Sequence, residues 1–283
     1  MSRGAGGFAS AMLAAGLSIR DAVVPDGKLH RFCVDGDKTG SKNGWYVLYG
    51  DGLLAGAFGC WKRGISETWC EKAQKNLTLT EREEYRRRMD AARRAYKAEE
   101  QARRTAASDK ALATWKASHI ASNDHPYLVK KHVRNHGGLR LHKGALVVPL
   151  RDGEGRIHSL QFIDADGNKR FLSGGRIAGC YYPIGIPVDT LCICEGYATA
   201  ASVHEATGHA VAVAFNCGNL LSVAQILRRK FPAIELVICA DNDTQTDGNP
   251  GLTKAREAAS AVGALLAVQP CHGDFNDLLC RGA

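Results

Sequence analysis

Apolar residues recur along this chain in three rhythms, and each rhythm predicts a different kind of element. Up to about residue 75, a short helix precedes short apolar runs separated by Gly, Asp, Asn and Lys turns. These runs predict strands at 29–34, 45–49, 53–61 and 65–69. From about 80 to 118 the period lengthens to that of a helix: Tyr85, Met89, Ala92 and Tyr96 make one narrow stripe. Thr80 and Glu83 offer a capping box there, and no Gly or Pro occurs until well past residue 118. Strands return at 146–150, 157–163 and 169–172, with hairpin turns at Asp152-Gly153-Glu154-Gly155 and Asp166-Gly167-Asn168. From residue 191 strand and helix alternate: strands at 191–194, 210–215, 235–240 and 264–268, helices at 197–207, 219–230 and 251–262. Such alternation implies a parallel sheet with covering helices. The expected organisation is a helix and β-rich unit over 1–78, a charged helical connector over 79–118, a basic α+β subdomain over 119–189, and an α/β domain over 190–283.

Charge separates these segments. The chain carries a net charge of +8, yet from Leu191 onward six Lys/Arg stand against nine Asp/Glu, a balance of −3. The preceding residues therefore carry +11, and a positive field of that kind attracts a polyanion. Much of it lies on the 80–118 helix, at Arg82, Arg86, Arg87, Arg88, Arg93, Arg94, Arg103 and Arg104. That helix reads as a solvated connector with i,i+4 ion pairs, and a nucleic-acid-contacting arm is the alternative. Trp45, Trp61 and Trp69 lie among basic residues and could stack on single-stranded bases. The reading preferred here makes them core of a small sheet. No apolar run approaches a membrane span, and the opening run 8–17 reads as an amphipathic helix rather than a leader. The ten cysteines include no C-x-x-C pair, and His30 with Cys33, Cys60 and Cys70 fits no common zinc spacing. A reduced, cytoplasmic protein is expected. His125, His132, His136 and His142 lack a carboxylate or cysteine at ligand spacing and read as surface histidines.

The chemistry concentrates at two strand ends. Leu191-Cys192-Ile193-Cys194 delivers Glu195-Gly196, and Leu236-Val237-Ile238-Cys239-Ala240 delivers Asp241-Asn242-Asp243. Ligands gather at the carboxyl ends of strands in open parallel sheets. Three carboxylates converging there without a cationic partner in either string would repel one another unless a divalent cation lay between them. Asp-x-Asp would turn both acids toward the metal and Asn242 away. Two Mg²⁺ or Mn²⁺ ions could then activate a 3′-hydroxyl and stabilise leaving pyrophosphate. No G-x-x-x-x-G-K phosphate loop and no nucleophile elbow occur.

Strand–Glu-Gly followed by strand–Asp-x-Asp resembles the Toprim domain of topoisomerases, DnaG-type primases and some nucleases. The resemblance extends over about 120–281. LVVPLRDGEGRI, NKRFLSGG, CEGYATA, ADND and DFNDLL follow the order of a DnaG-type primase core. HPYL, EGYATAASVHEATG, VAFNCGNL and NPGL look like the primases of conjugative plasmids and phages. The resemblance implies an α/β Toprim domain preceded by a small α+β primase-core subdomain. It implies a DNA primase, a DNA-directed RNA polymerase that makes short RNA primers on single-stranded DNA from ribonucleoside triphosphates. Glu195, Asp241 and Asp243 would be catalytic and would bind Mg²⁺ or Mn²⁺ together with Asp274. Arg151, Lys169, Arg170 and Arg176 would grip nucleic acid or nucleotide. A replicative helicase is left open as a partner, and no membrane is involved.

Three departures from that pattern stand out. Chromosomal primases carry Asp four residues after the Glu, where Thr199 stands here. Their later Asp-x-Asp is represented by Asp274 and Asn276. Their zinc ribbon has no counterpart, and the β-rich unit at 20–75 is the segment that could substitute for it. A Toprim nuclease would need the same acids, although it has no need of the sheet at 146–172. A non-catalytic single-stranded-DNA-binding protein of plasmid or phage transfer is the reading from another class.

Overall fold

The computed structural model describes residues 3–38 and 40–281. It divides into two compact units, Met1–Ala102 and Arg103–Ala283. The division falls within one helix, α2 (Leu79–Ala117).

In the first unit, helix α1 (Arg3–Ala14) lies on a four-stranded antiparallel meander of β1 (Asp26–Phe32), β2 (Gly44–Tyr49), β3 (Ala55–Cys60) and β4 (Ile65–Cys70). Alternate residues of a strand face opposite ways, and the two faces of β2 have different partners. Tyr46 and Leu48 join Phe8, Met12 and Phe58, with the Phe8 ring edge-on to Phe58 at 5.4 Å. Trp45 and Val47 face Ala92 of α2, with Tyr96 and Trp61 packed around them. The opening apolar run is therefore a packed helix, and Trp45 is core.

Two features of α2 differ from the sequence reading. The capping box is Thr78 with Glu81, not Thr80 with Glu83. Glu81 accepts from the Thr78 amide at 2.9 Å and also pairs with Lys72, which anchors the earlier of two T-x-x-E frames. Arg88 belongs to no solvated basic face. It is buried, pairs with Glu84, and donates to the carbonyls of Leu53 and Asp51.

The second unit holds two sheets. The first is antiparallel, in the order β5 (His119–Ile120), β6 (Arg140–His142), β7 (Ala145–Arg151), β8 (Ile157–Ile163) and β9 (Lys169–Phe171). Strands β5 and β6 are too short to show a period and were not expected. A short helix, α3 (Pro126–Lys130), lies between them. The β7–β8 turn is organised by Asp152, which is buried and surrounded by Arg156, His158 and Arg176. Burial alone would raise the Asp152 carboxyl. Hydrogen bonds from His158 and from the Arg156 amide and guanidinium outweigh it and hold the pKa at about 2. A carboxyl lowered in this way stabilises the fold above its unfolded pKa and loses that contribution as pH falls through the folded one. Asp152→Asn is expected to cost about 1–2 kcal/mol at neutral pH, discounted for the solvent around Arg156. Urea melts of the two proteins should converge between about pH 4 and pH 2. A gap unchanged across that window would remove the carboxylate from the account.

The second sheet runs β10 (Tyr182–Ile184), β12 (Ala210–Val213), β11 (Thr190–Cys194), β13 (Glu235–Ala240) and β14 (Leu265–Val268). Strands β11 to β14 are mutually parallel, as the alternation requires, and β10 adds an antiparallel edge. That edge strand escaped the sequence reading because it is three residues long and carries Pro183, which a sheet tolerates at its margin. Helices α4 (Tyr197–Thr207) and α7 (Phe275–Arg281) lie on one face. Helices α5 (Leu220–Lys230) and α6 (Pro250–Val262) lie on the other. Leu191, Ile193, Leu236 and Ile238 pack toward α5 and α6, while Cys192, Cys194 and Cys239 face Tyr197, Ala200 and Ala201 of α4. Burial on both faces explains why these strands are apolar throughout. Among the described residues, no helix is long and apolar enough to cross a membrane.

Candidate functional site

Register brings two acids together. Cys192 pairs with Val237 and Ile193 with Ile238 across the adjacent parallel strands β11 and β13. Glu195 follows one strand and Asp241 the other, so both leave the same edge of the sheet. Gly251, in the first turn of α6, closes over them. A Cβ there would stand 2.9 Å from the Asp241 carbonyl oxygen and 3.2 Å from Glu195 Oε1.

Burial and mutual repulsion dominate the electrostatics of this edge. Glu195 Oε1 and Asp241 Oδ1 are buried and have no hydrogen-bond partner. Burial, reinforced by the charges of Glu195 and Asp274, pushes Asp241 up to about 7 against the pull of Lys169. Burial also raises Glu195, while the Cys217 amide and Lys169 pull it down. Lys169 reaches this edge from β9, its Nζ 3.5 Å from where a Cβ on Gly196 would stand.

Asp274 approaches from the turn after β14. Its Oδ2 accepts from the buried Thr199 hydroxyl at 3.0 Å, and its Oδ1 accepts from the Asp277 amide at 2.9 Å. Thr199 thus supplies a hydrogen-bond donor to the neighbouring acid. Asn276 faces inward, donating to the Lys131 carbonyl at 2.7 Å and the Ser202 hydroxyl at 3.0 Å. Its role is to fasten α7 to α4.

Asp243 does not meet the other acids. It is half-exposed, accepts from the Thr246 hydroxyl, and lies 3.8 Å from His272 Nδ1. The alternation that would aim it at Asp241 ends with the strand at Ala240. Beyond that point Asn242 pairs with Gly273 through the backbone, and its amide reaches the Gln269 and Cys271 carbonyls. Asn249, in the left-handed region at φ 39, holds the Asp243 amide and Asn242 together. Among the described residues no three His, Cys, Asp or Glu side chains form a set able to hold a metal ion. What fits a cation is the pair of orphaned carboxylate oxygens on Glu195 and Asp241. Buried acceptors of that kind require a positive partner.

The basic residues separate. Lys169 stands at the acids, and the exposed Arg170 lies over the Phe162 ring at 4.3 Å. Arg151 donates to the Gly155 carbonyl and lies over Trp115, and Arg176 turns to Asp152. Both are engaged within the fold. Of the histidines, His125 is a buried cap that accepts from the Tyr127 amide. His136 bonds Glu205 at 2.6 Å, a partner distant in sequence that spacing could not reveal. Sequence reasoning gave no role to Lys131 or Gly251, and read Asp277 only as part of a closing acidic segment brought toward the same edge. Asp277 had a signal, since it stands three residues after Asp274 at a helix start, and Lys131 pairs with it at 3.4 Å.

Residues 190–283 match the family model of the Toprim domain. Two curated proteins of Escherichia coli, both called DNA primase TraC, extend the similarity over most of the chain. One is 39% identical over 259 residues, covering 85% of this chain and 24% of its own length. The other is 36% identical over 274 residues, covering 90% and 19%. The chain thus spans a quarter or less of the curated relatives it matches. Among solved structures, the primase fragment of the bacteriophage T7 primase-helicase protein is 17% identical, covers 53% of this chain and 62% of that one, and superposes with a TM-score of 0.39. By the family match and by the sheet that carries it, residues 190–283 form a Toprim domain.

Proposed function

We propose that this chain is a DNA primase that makes short RNA primers on single-stranded DNA by nucleotidyl transfer. The observation that carries the reading is the pair of buried, unpartnered oxygens on Glu195 and Asp241 at adjacent strand ends of a Toprim sheet. The two relatives called DNA primase support it. Glu195 and Asp241 would hold Mg²⁺ or Mn²⁺, with Asp274 beside them and Asp243 on the loop that follows. A divalent ion bound there supplies charge neutralisation at phosphate oxygens and activation of the 3′-hydroxyl.

The chain's own residues have distinct tasks in this reading. Lys169 brings a positive charge to the acidic edge, where it would contact the triphosphate of an incoming ribonucleotide or the primer backbone. Thr199 fixes the rotamer of Asp274 through its hydroxyl. Gly251 leaves room above Asp241 and Glu195. Arg170 extends the positive surface of β9 toward the template. The protein would act in the cytoplasm.

The test is incubation of the chain with single-stranded DNA, labelled ribonucleoside triphosphates and Mg²⁺ or Mn²⁺. Short RNA products that vanish with chelator are expected. Metal-dependent cutting of the template without RNA synthesis would reassign the site to a nuclease. DNA binding with neither product would count against catalysis by this chain.

A further inference from the structure

The first unit has a cationic groove that the site above does not use. It occupies about 630 Å³ along the first turns of α2 and the segment before it. Its cations are Lys75, Arg82, Arg86 and Arg93, and Asp90 is its single acid. The side chains of Lys75, Arg82 and Arg86 are exposed and pair with no carboxylate among the described residues, whereas Glu84 is taken by Arg88 and Glu81 by Lys72. Only Arg93 has an acidic partner, Asp90, at 3.4 Å. Ion pairing along the helix, which would make it an ordinary solvated connector, therefore leaves this face unneutralised.

Between the cations lies Tyr85, half-buried, above Met89. The positions 82, 85, 86, 89 and 93 follow one face of a helix at 100° per residue. Arg82 and Arg86 are about 6 Å apart along the axis and Arg93 about 10 Å further. A row of cations beside an aromatic ring suits a flexible polyanion with flat bases. The cations follow the phosphates and the ring offers a stacking surface. An acidic peptide would satisfy the charges but would leave the ring without a matching partner.

We infer that this groove, which shares no residue with the acidic edge of the Toprim sheet, binds the sugar–phosphate backbone of single-stranded DNA. It rests on the primase reading only for the choice of DNA as occupant. Arg82 and Arg86 hold successive phosphates, Lys75 and Arg93 flank them, and a base stacks on Tyr85.

The experiment measures fluorescence anisotropy of a labelled oligothymidine of about 16 nucleotides across a salt series without metal. Metal is omitted so that the result does not depend on catalysis. Arg82→Ala/Arg86→Ala is expected to weaken binding at least tenfold and to flatten the log–log salt slope by about 1.4, or about 0.7 for each phosphate no longer neutralised. Arg87→Ala/Arg94→Ala removes equal charge from another face of the same helix and should change affinity less than twofold. Tyr85→Ala should weaken binding several-fold, and Tyr85→Phe should restore it. Equal losses from the two arginine pairs would reduce the effect to net charge and overturn the inference, as would no loss from either. Displacement of the oligonucleotide by polyglutamate at matched charge would overturn it in favour of an acidic protein partner. If the unmodified chain makes no primers while Arg82→Ala/Arg86→Ala still weakens binding selectively, the groove stands and the primase reading alone fails.

Discussion

Replacing Asp241 with Asn is expected to abolish primer synthesis while making the metal-free protein more stable. The two effects have one cause. Asp241 stands buried beside Glu195 with Asp274 close enough to repel it, and one of its oxygens has no donor. Without a cation, that arrangement stores unfavourable electrostatic energy, which an amide of the same shape removes. Each kcal/mol relieved should raise the melting temperature by about 2–4 °C for a domain of this size. With a cation, the same arrangement is what binds it, and an amide is a much poorer ligand for a hard divalent ion. Primer synthesis should fall at least a hundredfold, about the loss seen when one pre-organised charge-stabilising group is removed from an active site. Sites arranged for function commonly carry such a stability cost. Calorimetry in chelator and a primer assay on the same preparation read both effects. Higher stability with retained synthesis would displace Asp241 from the chemistry. Lost synthesis with lower stability would mean that the carboxylate mainly supports the fold.

How much of this was legible in the sequence depends on the range of the forces involved. Strands β11, β12 and β13 and helices α4, α5 and α6 were readable because alternation, apolar runs and Gly208 and Gly263 are local signals. The four strands of the first unit were readable for the same reason. Strand β10 was not, because its three residues become a strand only by pairing with β12. The alternation put Glu195 and Asp241 at the carboxyl ends of two strands, and only the pairing of β11 with β13 makes those ends neighbours. Asp243 was expected beside them on a period of two, but that period holds only while the strand lasts. The partnership of Thr199 with Asp274 spans 75 residues, and no spacing rule reaches that far. Of the basic residues Arg151, Lys169, Arg170 and Arg176, charge alone could not separate Lys169, which faces the acids, from Arg176, which is taken by Asp152.

Gly251→Ala is expected to lower both stability and primer synthesis, although alanine is the better helix former. In an open helical position the exchange would gain up to about 1 kcal/mol. Gly6 in α1 is such a position, since a Cβ there meets nothing within 4 Å. Gly6→Ala should therefore leave the fold unchanged or slightly stabilised. At Gly251 the new methyl would lie 2.9 Å from the Asp241 carbonyl oxygen, a backbone atom that cannot rotate away. It would also lie 3.2 Å from Glu195 Oε1 and 3.4 Å from Asp241 Cβ. Overpacking of this kind costs about 1–3 kcal/mol, so it exceeds the helical gain and sets the sign. The strain has two outlets, a shift of α6 or a displacement of the two acids, and both disturb the site. A displacement near 1 Å in a catalytic arrangement can cost about a hundredfold in rate, so a loss between tenfold and a hundredfold is expected. Melting temperature and primer yield for the two glycine variants together provide the test. Opposite signs at the two glycines place the effect in the close approach over Asp241. A common sign would return it to helix propensity and leave Gly251 without a part in shaping the site.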